Sequence, residues 1–267
     1  MSDKPAQAQF VPLKKYGQNF LTDTNLLSAI VMDAGITKDD IVIEIGAGAG
    51  VLTAQLAKAA KSVTAYEIDT RLEPILAANL SGYDNVRVIY GDAMRMDITK
   101  GVPSYGYKVT ANLPYYITTP ILFHFLESAN PPKSMSVMVQ LEVAERIIAG
   151  PGSSAYGALS AAIALRGKAT LVRKVGRNMF SPPPNVDSAV VRIDLIENTD
   201  IDYEGVSKLI RCAFGMRRKT LKNNLMTLGI SADKALSAIR VIGLTDNIRG
   251  EALGADDFCR LYKAIER

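Results

Sequence analysis

The chain has 267 residues, 31 Lys plus Arg against 27 Asp plus Glu, and a formal net charge of +4. At 48% hydrophobic and 22% charged it has the make-up of a globular chain that buries a core, and no apolar run reaches the roughly 18 residues of a membrane helix. One histidine, two well-separated cysteines and no tryptophan disfavour a disulfide framework, a zinc knuckle, a CxxC redox pair and any mechanism that needs an imidazole.

The opening MSDKPAQAQF lacks the apolar centre of a signal peptide, so the chain reads as cytoplasmic, with residues 1–12 a flexible tail. Short β-branched runs then alternate with helical patterns. Strands are expected at 41–45, 62–67, 85–90, 107–111 and 136–141, with helical segments such as VLTAQLAKAA and TRLEPILAANL between them. That alternation predicts an α/β fold with a parallel, doubly wound sheet, closed at one edge by runs at 169–175 and 188–195. After Ile196 only helices are expected, over 204–214, 219–228, 232–239 and 255–265. The expected domains are 13–198 around the sheet and a small all-helical unit over 199–267.

The modest net charge hides an asymmetry. Residues 146–186 hold six bases and no acid, and residues 205–232 hold six more with none, which leaves −8 for the rest of the chain. Acid-free stretches studded with Lys and Arg suit a face that binds a polyanion. His124 lies between two phenylalanines on an amphipathic helix pattern and reads as structural.

Chemistry-bearing motifs follow the strands in order. EIGAGAG, at 44–50, joins the first strand to a helix. Glycine there permits a tight turn and close approach of backbone to ligand, and the helix start offers unpaired amides. A dinucleotide would suit the turn equally well. Glu67 ends the next strand, 17 residues beyond Gly50, where an acid accepts from both ribose hydroxyls; Asp69 is the alternative acid. Asp92, in GDA after the third strand, is placed either to meet an adenine amine or to cap the segment that follows.

The motif NLPYYIT, at 112–118, follows the fourth strand. An exocyclic adenine amine is a poor nucleophile because its lone pair is delocalised into the ring. Acceptors aimed at its two protons favour the pyramidal form. Asn112 offers a side-chain oxygen for this, and Leu113 or Pro114 a backbone carbonyl, with proline stiffening the turn. Tyr115 offers a ring on which an extruded base can stack.

In this order EIGAGAG, GDA and NLPYYIT resemble the S-adenosylmethionine-dependent adenine-N6 methyltransferases. KKYGQNFL (14–21), VQLEVAERI (139–147), FSPPPNVDSAV (180–190) and AFGMRRKTLKNNL (213–225) narrow the resemblance to the KsgA-type small-subunit ribosomal RNA adenine N6,N6-dimethyltransferases, over nearly the whole chain. The resemblance implies a Rossmann-like class I methyltransferase sheet, S-adenosyl-L-methionine as cofactor, and dimethylation of two adjacent adenosines near the 3′ end of 16S RNA during ribosome biogenesis. It implies that Gln18, Asn19 and Leu21 fold over the cofactor and that Gly46, Gly48, Glu67, Ile68, Asp92, Ala93 and Asn112 line its pocket. Asn112, Leu113, Pro114 and Tyr115 are the implied catalytic motif, with no metal. On the RNA side it implies Tyr115 and Phe180 about the target base, while Arg217, Arg218, Lys219 and Lys222 cluster at a helix start to meet phosphates. The implied partner is small-subunit RNA in a pre-ribosomal small subunit, met by a monomer without membrane contact.

Four positions depart from the family pattern. Ala47 stands where Pro is common, Leu141 where Lys is common, Ala158 where Arg is common and Asn185 where Lys or Arg is frequent, so three departures remove positive charge from the RNA side. Three rival readings share some features. A large-subunit RNA or DNA adenine methylase would keep the NLPY chemistry and differ in target. A non-catalytic RNA-binding assembly factor has no need of intact Asn112, Pro114 and Tyr115. A nicotinamide-dependent oxidoreductase fits the glycine turn and Glu67 but lacks a hydride-transfer partner.

Overall fold

In the computed structural model, which describes residues 19–21, 23–104, 106–196 and 200–266, the β-branched runs pair into one seven-stranded sheet. In chain order the first elements are β1 (Phe20–Leu21), α1 (Thr24–Asp33), β2 (Ile41–Ile45), α2 (Val51–Ala59), β3 (Ser62–Glu67), α3 (Glu73–Leu80), β4 (Val86–Tyr90) and β5 (Tyr107–Asn112). Next come α4 (Thr118–Leu126), β6 (Ser134–Gln140), α5 (Leu141–Ile147), α6 (Ala158–Arg166), β7 (Gly167–Val175), β8 (Phe180–Ser181) and β9 (Ser188–Leu195). The helices α7 (Tyr203–Gly215), α8 (Leu221–Met226), α9 (Ala232–Val241) and α10 (Ala255–Glu266) follow. The expected tail, 1–12, lies outside the described residues.

The strand order is β4-β3-β2-β5-β6-β9-β7; the first five run parallel, and β9 and then β7 are added antiparallel at the edge. This is the doubly wound, largely parallel sheet that the strand–helix alternation predicted. Both faces are covered, which is why the strands read as near-continuous apolar runs. Successive residues of β2 point to opposite faces, so Ile43 and Ile45 pack with α4, α5 and α6 while Val42 packs with α1 and α2. The chain lays β3 and β4 on one side of β2, then returns to lay β5 on the other. That reversal opens a crevice at the carboxyl ends of β2 and β5.

The helices α7 to α10 close around a core of their own, with Leu209, Ile210, Leu225, Ile239, Phe258 and Leu261. α6 serves both cores, since Leu159, Ala162 and Ile163 pack under the sheet while Ala161 and Leu165 pack into the helical core. A helix apolar on two faces is buried between two layers. A polar contact spans the same junction. Arg211 donates to both Glu127 carboxylate oxygens at 2.7 and 2.6 Å, Ser207 Oγ donates to Glu127 Oε1 at 2.6 Å, and the guanidinium lies 4.2 Å from the Phe123 ring centroid.

Among the C-terminal helices, the start that departs most from expectation is that of α8. The spacing predicts α8 from residue 219, but it begins at Leu221. Asn224, buried in α8, accepts from the Met216 amide at 3.0 Å and donates to the Ala213 carbonyl at 3.0 Å, so it caps the end of α7 and holds the intervening turn. Arg217, Arg218 and Lys219 therefore stand in an exposed turn and only Lys222 is on the helix.

Candidate active site

The turn after β2 carries glycines at φ +80° (Gly46), +57° (Gly48) and +80° (Gly50), conformations that L side chains rarely adopt. At Gly48 a second constraint applies, because a Cβ there would lie 3.1 Å from the Phe20 ring. Phe20 is held over the turn by the short β1–β8 pairing, in which Leu21 faces Phe180. The glycine spacing thus serves both backbone conformation and close packing of a cover.

Glu67 ends β3 and ties that strand end to the turn. Its Oε2 accepts from the Gly48 amide and its Oε1 from the Asp69 amide, each at 2.8 Å, and each oxygen keeps a further lone pair. Burial pushes the Glu67 carboxyl above its usual range, opposed by these amide bonds and reinforced by the Asp69 charge. The alternative acid, Asp69, is buried and committed to Arg71, at 2.8 and 2.5 Å. Asp92 accepts from the Met94 amide at 3.0 Å, which makes a local turn rather than the start of a helix.

β5 delivers Asn112 to the crevice. Its Nδ2 donates to the Asn19 carbonyl at 3.3 Å, leaving Oδ1 as the acceptor. The Leu113 amide donates to the Met138 carbonyl at 3.2 Å, which docks the motif on β6. The Pro114 carbonyl accepts from the Ile117 amide at 3.1 Å and from Thr118 Oγ1 at 3.4 Å. Tyr115 Oη and Ser188 Oγ are 2.9 Å apart, and Ser188 is wholly buried at the start of β9. Burial raises the Tyr115 pKa.

These pieces enclose a cavity of about 200 Å³. Asn19, Leu21, Gly46, Gly48, Glu67, Ile68, Asp92, Ala93, Asn112, Leu113, Pro114 and Tyr115, each expected from sequence, line it together. Gln18 lies outside the described residues. Phe180 is not among the lining residues and is buried with Leu21, Val175 and Val190. Arg217, Arg218, Lys219, Lys222 and His124 do not line it either, and His124 packs edge-on to Phe125 at 6.0 Å. Among the described residues no cluster of three or more His, Cys, Asp or Glu is placed to hold a metal.

Sequence reasoning passed over Phe20, Leu52, Tyr66, Met94, Tyr116 and Ile117 on the cavity wall, and Ser188 behind Tyr115. Phe20 and Tyr116 adjoin motif residues, which is a usable signal. Tyr66 reads only as an apolar strand position, and nothing in VDSAV points its serine at Tyr115.

The family model of "Ribosomal RNA adenine dimethylase" matches residues 12–267. The chain is 44% identical to "Ribosomal RNA small subunit methyltransferase A" of Lachnoclostridium phytofermentans, over 97% of this chain and 93% of that one. It is 45% identical to the protein of that name from Streptococcus equi subsp. zooepidemicus, over 95% and 92% respectively. Among solved structures it is similar to a dimethyladenosine transferase from Plasmodium falciparum, with 30% identity, a TM-score of 0.77, and coverage of 91% of this chain and 95% of that one. It is also similar to the 23S rRNA methyltransferase ErmE, with 26% identity, a TM-score of 0.70, and coverage of 93% and 100%.

Proposed function

The chain belongs to the ribosomal RNA adenine dimethylase family, and from that premise we propose that it methylates N6 of two adjacent adenosines near the 3′ end of small-subunit ribosomal RNA during ribosome biogenesis. The chain is a ribosomal RNA adenine dimethyltransferase, and S-adenosyl-L-methionine is its methyl donor. We assign it to the cytoplasm as a monomer acting on RNA within a pre-ribosomal small subunit. The observation that carries this reading is that Glu67 and the Asn112–Tyr115 motif share one cavity at the strand-order reversal.

The residues present fit the donor. Glu67 keeps a lone pair on each oxygen for ribose hydroxyls, and Asp92 with Ala93 stands at the next strand end for an adenine edge. When bound, the donor supplies a methyl group activated by its sulfonium, so the chain's task is alignment and exclusion of water. Asn112 Oδ1 accepts a hydrogen bond from the target amine. The Pro114 carbonyl already serves two donors, so the Leu113 carbonyl is the better second acceptor. Tyr115 stacks the extruded base, an interaction of roughly 1–3 kcal/mol. The amine's surplus proton passes to water. Phe180 backs this wall through Leu21, and Arg217, Arg218, Lys219 and Lys222 meet phosphates.

The test is mass spectrometry of small-subunit RNA from cells with and without this protein. N6,N6-dimethyladenosine is expected only where the protein is present. Because ErmE is also similar, purified protein is offered immature small subunits, naked large-subunit RNA and DNA in parallel. Preference for either of the last two would contradict the target assignment.

A further inference from the structure

Three fully buried polar side chains beneath the glycine turn make no hydrogen bond of ordinary length: Glu44 of β2, Thr53 of α2 and Thr110 of β5. They sit together. Glu44 and Thr110 are register partners on adjacent parallel strands, and the Thr53 hydroxyl neighbours the Glu44 carboxyl. Glu44 is also one of the residues lining the cavity, although it has no exposure to solvent. Buried polar groups are normally satisfied, so an orphaned cluster against a ligand cavity calls for a cause.

Among the described residues the surroundings supply no countercharge. From β3 the group facing Glu44 is another acid, Glu67, and across the cavity stand Asp92 and Tyr115. On β5, Lys108 is committed to Asp40 at 2.8 Å and to the Gly35 carbonyl at 2.7 Å. On α1, Asp33 pairs with Arg173 at 2.8 Å, and on α2 the basic residue, Lys58, is exposed in the last turn. Burial pushes the Glu44 carboxyl up to about 8, opposed by the Thr53 hydroxyl and reinforced by the Glu67 charge. An ionised carboxylate in such a place is costly, and a cation brought into the cavity would stabilise it.

We propose that Glu44 exchanges its proton against the positive charge of the methyl donor: the carboxyl is neutral in the protein alone and ionises when the donor's charge enters the cavity. The released proton goes to solvent, and the Thr53 and Thr110 hydroxyls donate to the carboxylate so formed. Methyl transfer removes the sulfonium charge, which lets Glu44 regain a proton and favours departure of the thioether product. This inference rests on the assignment of the cavity to S-adenosyl-L-methionine.

Calorimetric titration of the full chain with S-adenosylmethionine and with S-adenosylhomocysteine, in buffers of different ionisation enthalpy near neutral pH, counts the protons released. Wild type is expected to release close to one proton with the donor and fewer with the product, and Glu44→Gln to lose that release. Carbon-13 NMR of the glutamate carboxyls in wild-type protein provides a readout that needs no variant. Glu44 is expected to be neutral near pH 7 in the protein alone and ionised when the donor is added. Equal proton counts in wild type and variant, or a Glu44 carboxyl already ionised without ligand, would overturn the proposal. Binding of neither ligand would instead overturn the donor assignment itself, and the proposal with it.

Discussion

The cavity at the strand ends and the basic turn between α7 and α8 belong to one chain, and the roles proposed for them rest on opposite physical means. The cavity is made of glycines at positive φ, a buried carboxylate clamped by two backbone amides, and an asparagine held by a neighbouring carbonyl. Its parts act over hydrogen-bond distances and are shielded from salt. The turn presents Arg217, Arg218 and Lys219 to solvent, where attraction to phosphate is long-ranged and screened over about 8 Å at physiological ionic strength. Damage to the first should abolish chemistry and leave RNA affinity; damage to the second should do the reverse.

The largest expected effect follows from Asn112→Ala, which removes the acceptor proposed for the target amine. Methyl transfer measured under single turnover should fall on the order of 10²–10³-fold, as on loss of one preorganised group elsewhere. RNA affinity and its salt dependence should stay near wild type. A variant that turns over normally would break the assigned role, and one that loses RNA affinity equally would erase the contrast between the regions.

Next in size is Glu67→Ala. It deletes the proposed ribose acceptor and strands the Gly48 and Asp69 amides that the carboxylate serves. Hydrogen bonds to a charged group contribute about 1.5–3 kcal/mol each, so donor affinity by calorimetry should drop by at least about tenfold. RNA affinity should be unmoved. The mirror experiment neutralises the turn with Arg217→Ala, Arg218→Ala and Lys219→Ala together. The slope of log affinity for RNA against log salt should become shallower by about one for each phosphate that is no longer neutralised, with donor affinity unchanged.

The smallest effect sharpens the boundary of the cavity. Ser188→Ala removes the partner of the Tyr115 hydroxyl, a bond worth about 1 kcal/mol, so kcat/KM should fall about fivefold. Tyr115→Phe should lose a similar amount, and the double variant little more, because both delete one interaction. Additive losses would show that Ser188 acts elsewhere.

Much of this arrangement was legible in the sequence for a physical reason. Strands buried on both faces must be apolar and β-branched, so their limits could be read closely, and ligand groups gather where such strands end. Glu67, Asp92 and Asn112 were picked out by that logic, and all three line the cavity. What escaped depends on interactions between distant parts of the chain. Ser188 meets Tyr115 across 73 residues, and Phe20 matters because its ring covers Gly48. The late start of α8 came from one buried side chain, Asn224, overriding a helix-forming stretch of Lys and Leu. The double role of α6 was hidden because its two apolar faces read simply as a hydrophobic helix.

The division of labour is tested most directly on the unaltered protein, by measuring affinity for S-adenosylhomocysteine and for small-subunit RNA side by side from about 50 to about 200 mM salt. RNA affinity should fall steeply, by orders of magnitude, while ligand affinity in the cavity stays within about twofold. Affinities that decline together would contradict the account.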